Sequence, residues 1–369
     1  MRRGNLTAAR DLLQRAIDGG DVSSEVLFAM AQACRGSGDA DGEKANLSKV
    51  LSYDSRNIAA LLMMAEANVR TADDRGAVAY YRTALAAAAT PGMTFPEAIL
   101  AGLRRGEQFL GETNRRFGEH LIAAVADRGA TRRVRETIDL LLGKTELYLQ
   151  QPSMLYFPGL PQRAFFERAE FDWIPALEAA VPDMQRELAA VLNDDVPFAP
   201  YVTGSPNRPI PANPLFNDPS WGAFYLLQEG LPVAGNAEQC PATMAALAKL
   251  PLPRIIGRSP MALFSLLRAG THIRPHHGLL NTRLICHVPL IVPSGCRLRV
   301  GGETRVPREG ETLIFDDSFE HEAWNDGAST RVVLLFEIWR PELSLDEREH
   351  LTQIFEAIDL YDMGDVDRG

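Results

Sequence analysis

No Cys-x-x-Cys pair occurs in this 369-residue sequence, and its four cysteines, Cys34, Cys240, Cys286 and Cys296, are scattered. That absence argues against zinc-knuckle and thioredoxin-type chemistry. So few cysteines in so long a chain predict free buried thiols in a reducing compartment rather than a disulfide framework. Long apolar runs are missing too. The longest, such as Val332-Val333-Leu334-Leu335-Phe336, fall far short of a membrane span. Arg2 and Arg3 are not followed by an apolar segment, so no secretory leader is expected and the expected location is the cytoplasm. No basic block or stripe stands out, and 38 Lys+Arg against 48 Asp+Glu leave a net charge of −10, which argues against a nucleic-acid partner. What is present is an ordinary globular balance, 46% hydrophobic and 23% charged. The length suggests two or three domains.

Proline is scarce from about residue 5 to 145, where Ala, Leu, Glu and Arg dominate. This part reads as helices. Ile58 to Glu66, a polar turn at Asp73-Asp74-Arg75, and Ala77 to Leu85 form a helix, turn and helix in a unit of about 34 residues. Ala8 to Leu13 and Val26 to Ala31 look like an earlier, weaker copy, and a further helical pattern runs from Arg104 to Leu149. The segment is similar to tetratricopeptide repeats, and a plain helical bundle is the alternative. Neither reading carries a catalytic constellation, and such arrays usually hold partners. A linker is predicted near Gln151-Pro152-Ser153, which divides the chain into domains 1–150 and 151–369.

Beyond it, Ile174 to Leu192 reads as helix divided by Pro182. A Pro- and Asn-rich irregular stretch follows from Pro197 to about Asp218. Strands are predicted over Ala262–Leu267, Arg283–Ile291, Cys296–Val300, Glu311–Phe315, His321–Asn325 and Arg331–Trp339, with turns at Ser294-Gly295, Gly301-Gly302 and Asp326-Gly327. Short strands at this spacing predict a β-sandwich or jelly-roll barrel. An acidic helix from about Leu345 to Leu360 closes the sequence.

Three features of the strand-rich part belong together: Arg274-Pro275-His276-His277-Gly278 at a strand edge, Asp316 to Trp324 around His321, and Arg331 at the head of an apolar strand. A non-haem iron(II) oxygenase needs imidazole ligands on rigid strands, with coordination positions left open. His276 and His321 are expected to meet across the two facing sheets of the jelly roll. Arg331, ten residues after His321, is expected on the adjacent strand, where its planar fork suits a carboxylate. Ser265 can add a hydroxyl to that carboxylate. The usual third ligand is a carboxylate two residues beyond the first histidine, and Gly278 stands there. Asp316 and Asp317 are expected to cap the turn. Arg297 and Arg299 read as solvated charges, and His272 and His277 as structural.

Phe264-Ser265, Pro275-His276, Asn281, His287, Cys296, Tyr156 to Pro161, and above all Leu313-Ile314-Phe315-Asp316-Asp317-Ser318-Phe319-Glu320-His321-Glu322-Ala323-Trp324 resemble the aspartyl/asparaginyl β-hydroxylase family over about residues 155–343. The resemblance implies a double-stranded β-helix that uses Fe(II), 2-oxoglutarate and O2. It implies His276 and His321 as the metal ligands, with water in place of the carboxylate. Ser265 and Arg331 would hold the distal carboxylate of 2-oxoglutarate, His287 would contact its other end, and Trp221 would line the cleft. For His287 and Trp221, ordinary core packing is the alternative reading.

Animal members of that family grip an acidic substrate side chain with two arginines spaced by one residue. Arg283 matches the first, and Ile285 replaces the second. Arg283 is therefore the substrate-binding candidate, with a plain surface role as its alternative. The overall expectation is a multidomain protein: an all-α helical-repeat region, then a jelly-roll hydroxylase with flanking helices. Its expected substrate is an Asp/Asn-type side chain of a peptide or protein, recruited by the repeats, with release of succinate and CO2. The alternatives are a lipid acyl chain, a small or carrier-bound metabolite, or a non-catalytic interaction protein.

Overall fold

The computed structural model describes residues 3–126, 129–193, 198–204, 209 and 212–364. The chain divides into two compact units, Met1–Thr145 and Glu146–Gly369. Of the irregular stretch expected at 197–218, residues 197, 205–208, 210 and 211 lie outside the described residues.

The elements of the first unit, among the described residues, are all helices: α1 (Arg3–Asp18), α2 (Ser24–Ser37), α3 (Ala40–Tyr53), α4 (Ile58–Arg70), α5 (Asp74–Ala88), α6 (Glu97–Ala124) and α7 (Arg132–Leu141). Its helix boundaries recur. The N-caps Ser23 and Asn57, the left-handed residues Gly38 and Ala72, and the N-caps Asp39 and Asp73 are each separated by the same interval of about 34 residues. Asp39 accepts the backbone N–H of Gly42 and Asp73 that of Gly76, so both caps satisfy a first-turn donor in the same way. The turn between α4 and α5 falls at Thr71–Asp73, slightly earlier than the sequence suggests. Leu27, Ala31, Leu47, Val50, Ala60 and Met64 form one core, and Leu61, Ala65, Ala77, Tyr81, Ala84 and Leu103 the next. α6 approaches α5 closely because Gly106 has no side chain: a Cβ there would lie 2.6 Å from the Tyr81 ring.

The second unit is β-rich. Its strands are β1 (Phe165–Phe166), β2 (Ala199–Pro200), β3 (Trp221–Gln228), β4 (Leu231–Pro232), β5 (Ala262–Leu267), β6 (Thr271–His276), β7 (Arg283–Ile291), β8 (Cys296–Val300), β9 (Glu303–Arg305), β10 (Leu313–Phe315), β11 (His321–Asn325) and β12 (Arg331–Trp339). One antiparallel sheet runs β1-β10-β7-β12-β5-β3-β2, with β4 on β3; the other runs β6-β11-β8-β9. The helices of this unit are α8 (Ile174–Ala179), α9 (Val181–Asn193), α10 (Asn236–Gln239), α11 (Pro241–Leu247) and α12 (Leu345–Gly364). The break between α8 and α9 falls just before Pro182, as the sequence suggests.

Strand alternation sorts the side chains of the larger sheet. Leu284, Cys286 and Val288 of β7, with Val332, Leu334, Phe336 and Ile338 of β12, pack against Ile174, Leu177, Met184, Leu188 and Leu247 of the helices. The intervening residues Leu263, Ile285, Val333 and Leu335 meet Ile273, Leu298, Val300 and Ala323 of the smaller sheet. Coverage on both faces explains why β12 reads as a continuous apolar run. The predicted linker is pinned instead: the Gln151 N–H donates to Ser318 O, that of Ser153 to Gly278 O, and the Gln150 side chain to Asp316.

All four cysteines are free and buried, as expected. Among the described residues, no helix is long and apolar enough to cross a membrane.

A two-histidine cavity as the candidate active site

Between the two sheets lies a cavity of about 330 Å³. His276, His321, His287, Arg331, Ser265, Trp221 and Arg283 all line it, so every site residue singled out from the sequence comes to one place.

His276 ends β6 and His321 begins β11, and the two are directly paired in the ladder. They are neighbours within the smaller sheet; the expectation that they meet across two sheets was wrong. The next pairs in this ladder are Ala323 with Ile273 and Trp324 with His272, so three residues of β6 span two of β11. This bulge turns Ile273 and His276 to the same face. Pro275 sits within it, on an edge strand, where its missing N–H breaks no central ladder. The imidazole centroids are 4.1 Å apart. His276 places Nδ1 against Arg274 O at 2.8 Å, and His321 against Phe319 O at 3.0 Å. A carbonyl can only accept, so each Nδ1 carries the proton and each Nε2 keeps its lone pair. Burial lowers both pKa values, that of His321 to about 3 with help from His276 beside it. Both rings are therefore neutral at pH 7, the form that binds metals.

Arg331 heads β12 of the larger sheet and reaches the cavity from the wall opposite β11. It does not lie on the strand adjacent to β11: the ten-residue connection crosses between sheets rather than forming a hairpin within one. Arg331 is 4% exposed, and burial pushes its pKa down to about 10. It forms no ion pair among the described residues. Its Nη2 donates to His287 Nδ1 at 3.3 Å, and burial with Arg331 alongside holds His287 neutral. Ser265 lies on β5, beside β12 in the same sheet, and accepts a hydrogen bond from Trp221 Nε1 at 3.3 Å. Trp221 in turn stacks on Tyr201 with centroids 4.2 Å apart.

Asp316 and Asp317 separate in role. Asp316 caps the turn, accepting from Ser318 N and Oγ, and is buried against Arg340. Asp317 does not act as a cap. Its carboxyl lines the cavity, Oδ1 is buried without a hydrogen-bond partner, and burial pushes its pKa up to about 7 against the pull of Arg283. A Cβ on Gly278 would lie 2.1 Å from Asp317 Oδ2, so the space a ligand side chain at 278 needs is occupied by Asp317. Among the described residues no group of three His, Cys, Asp or Glu is arranged to hold a metal.

Arg283 reaches the cavity, but its guanidinium is paired with the fully buried Glu337. The substrate-binding candidate is thus already engaged in an ion pair. Arg299 was expected in solvent; instead it is 16% exposed and bonded to Glu320 and Glu322. Arg297 stays at the surface with Asp326, and His272 bonds Glu322 and stacks on Trp324. Sequence reasoning missed Asp317, Glu337, Tyr201 and Asn213 as neighbours of the site. The run of two aspartates was a usable signal, since one residue suffices to cap that turn.

A family model described as Aspartyl/Asparaginyl beta-hydroxylase matches residues 178–341. Aspartate beta-hydroxylase domain-containing protein 2 of Xenopus tropicalis is 33% identical over 215 residues, which are 56% of this chain and 55% of that protein. The human aspartyl/asparaginyl beta-hydroxylase is 38% identical over 135 residues, 36% of this chain and 18% of that one. Ornithine lipid ester-linked acyl 2-hydroxylase of Rhizobium tropici is 33% identical over 190 residues, 51% of this chain and 64% of that one. The chain thus spans about half the length of the first of these relatives. The matched segment contains the histidine pair, Arg331 and every strand that carries them, and over that segment the chain is similar to the aspartyl/asparaginyl β-hydroxylase family.

Proposed function

We propose that the second unit is an iron(II)- and 2-oxoglutarate-dependent hydroxylase, with its two facing sheets forming a double-stranded β-helix. The observation that carries this reading is Arg331. A buried guanidinium with no carboxylate partner is unfavourable by several kcal/mol, so the cavity is built for an anion. A dicarboxylate whose far end pairs with Arg331 meets that need through two charge-assisted hydrogen bonds. Ser265 Oγ lies on the same wall and can donate a third.

The donor set fits iron. Two neutral imidazoles with fixed Nδ1–H groups present two Nε2 lone pairs, and strands hold both rings. Asp317, whose carboxyl lines the cavity, could hold a water through Oδ2 where Gly278 offers no ligand. The bound metal would supply the redox chemistry that couples decarboxylation of 2-oxoglutarate to hydroxylation of a C–H bond. The chain's own residues orient and exclude. Arg331 anchors the cosubstrate, and His287 receives its second N–H and fixes the fork. The Trp221–Tyr201 stack closes one wall against water.

The family description points to an Asp or Asn side chain of a peptide or protein as substrate. An acyl chain is the second reading. It is favoured by the apolar lining of Val202, Met261, Leu279 and Ile285 and by the likeness to an acyl 2-hydroxylase. For the first unit we propose tetratricopeptide-type repeats that recruit a partner or substrate, on the recurring caps. The test of the hydroxylase reading is succinate release by iron-loaded protein. Release that requires both iron(II) and 2-oxoglutarate, and is lost in His276→Ala, supports it; iron-loaded protein that neither binds nor consumes 2-oxoglutarate rejects it.

A further inference from the structure

The cavity contains two arginines in opposite electrostatic states. Arg331 has no carboxylate beside it. Arg283 has two: its Nη1 donates to Glu337 Oε2, and Asp317 also faces it across the cavity lining. Glu337 is fully buried and fixed from other sides. Its Oε1 accepts from Ser259 Oγ at 2.6 Å and from the Met261 N–H at 3.2 Å, so it cannot swing away from Arg283. Arg283 keeps unused donors: its Nη2 makes no hydrogen bond among the described residues, and its buried Nε–H has no acceptor there either. Ile285, two residues along the same face of β7, and Leu335, two before Glu337 on β12, make the neighbouring surface apolar.

We propose that Glu337 sets the charge selectivity of the substrate end, holding the Arg283 guanidinium in a buried ion pair so that the site takes an uncharged carbonyl oxygen on Arg283 Nη2 and turns carboxylates away. The inference rests on the hydroxylase reading above and deepens it. A carboxylate brought to Arg283 would face Glu337 and Asp317 in a site with little water, where like charges repel strongly. A neutral carbonyl accepts a free Nη2 N–H without adding charge, making a hydrogen bond that the empty site leaves unmade. An amide side chain of a peptide and the carbonyl of an acyl amide or ester share this chemistry.

The test uses the full chain loaded with manganese(II) and 2-oxoglutarate. Two matched probe pairs are titrated: N-acetyl-asparagine amide with N-acetyl-aspartate amide, and hexanamide with hexanoate. Paramagnetic relaxation of the probe protons reads both affinity and closeness to the metal. The 2-oxoglutarate methylene protons report the cosubstrate on the same sample. Within whichever pair binds, the neutral member should bind at least about tenfold tighter, the scale expected for an unpaired buried charge. The pair that binds identifies a peptide or an acyl source. Glu337→Gln should move the preference at least about tenfold toward the acid, while 2-oxoglutarate binding stays unchanged. If Glu337→Gln does not fold, the wild-type preference decides alone. Equal binding, preference for the acid, or no probe binding while 2-oxoglutarate binds overturns the inference about Glu337. Absence of 2-oxoglutarate binding instead brings down the hydroxylase reading, and this inference with it.

Discussion

Replacing Arg331 by methionine should stabilise the empty protein and abolish its affinity for 2-oxoglutarate. The two effects have opposite signs because the guanidinium serves the ligand at the expense of the fold. Burial lowers the Arg331 pKa from 12.5 to about 10. At about 1.4 kcal/mol per pKa unit, the charged side chain costs the empty protein on the order of 3 kcal/mol. The sign follows from linkage. The folded pKa lies below the unfolded one, so the penalty is present in full at pH 7 and fades only as pH rises through about 10 toward 12.5. Methionine fills similar length without charge, and such replacements of buried charges stabilise by roughly 1–4 kcal/mol. For a unit of this size, each kcal/mol raises Tm by roughly 2–4 °C. All four tryptophans, Trp173, Trp221, Trp324 and Trp339, lie in the second unit, so tryptophan fluorescence follows its unfolding selectively. Titration calorimetry of the metal-loaded protein should then show affinity for 2-oxoglutarate reduced by more than about a hundredfold, since hydrogen bonds to charged groups contribute roughly 1.5–3 kcal/mol each. A variant that melts lower than wild type and still binds 2-oxoglutarate normally would refute the reasoning.

Three further outcomes follow from the same geometry. His276→Ala and His321→Ala should each remove bound iron(II) in equilibrium dialysis, whereas His277→Ala, one residue from a proposed ligand, should retain it. Gly278→Asp, which restores the usual carboxylate position, should destabilise the unit by roughly 1–3 kcal/mol, because its Cβ collides with Asp317; urea denaturation measures it, and unchanged stability would count against that packing. Arg340→Ala should lower stability by about 3–5 kcal/mol, since it strands the buried Asp316 carboxylate that Arg340 and Gln150 now satisfy. A loss below 1 kcal/mol would show that water or Gln150 replaces the pair.

Local chemistry in the sequence went far toward locating the site. The histidines and Arg331 stand in motifs whose residue types state their use, and β5, β7, β8, β11 and β12 fall where alternation and turn residues place them. Spatial relations between strands were less legible. That β6 and β11 share one sheet while β12 belongs to the other depends on register and on a bulge at Pro275, neither of which short-range pattern encodes. β3 escaped notice because Trp221-Gly222-Ala223-Phe224-Tyr225-Leu226-Leu227 has no alternation; both its faces are covered. The Arg283–Glu337 pair joins residues on two adjacent strands, β7 and β12, that are 54 positions apart. Arg283 alone reads as a free cation, and only the fold shows that it is already neutralised. Asp317 was assigned a capping role that Asp316 alone fulfils.

The central claim is that two histidines and Arg331 together make one site for iron(II) and 2-oxoglutarate. Anaerobic titration of the full chain with iron(II), followed by 2-oxoglutarate, tests it most directly through the visible charge-transfer absorption of the ternary complex. The account predicts a band that saturates at one metal and one 2-oxoglutarate per chain, absent in His321→Ala and requiring far more 2-oxoglutarate in Arg331→Met. Iron-loaded wild-type protein that gives no band at any 2-oxoglutarate concentration would contradict it.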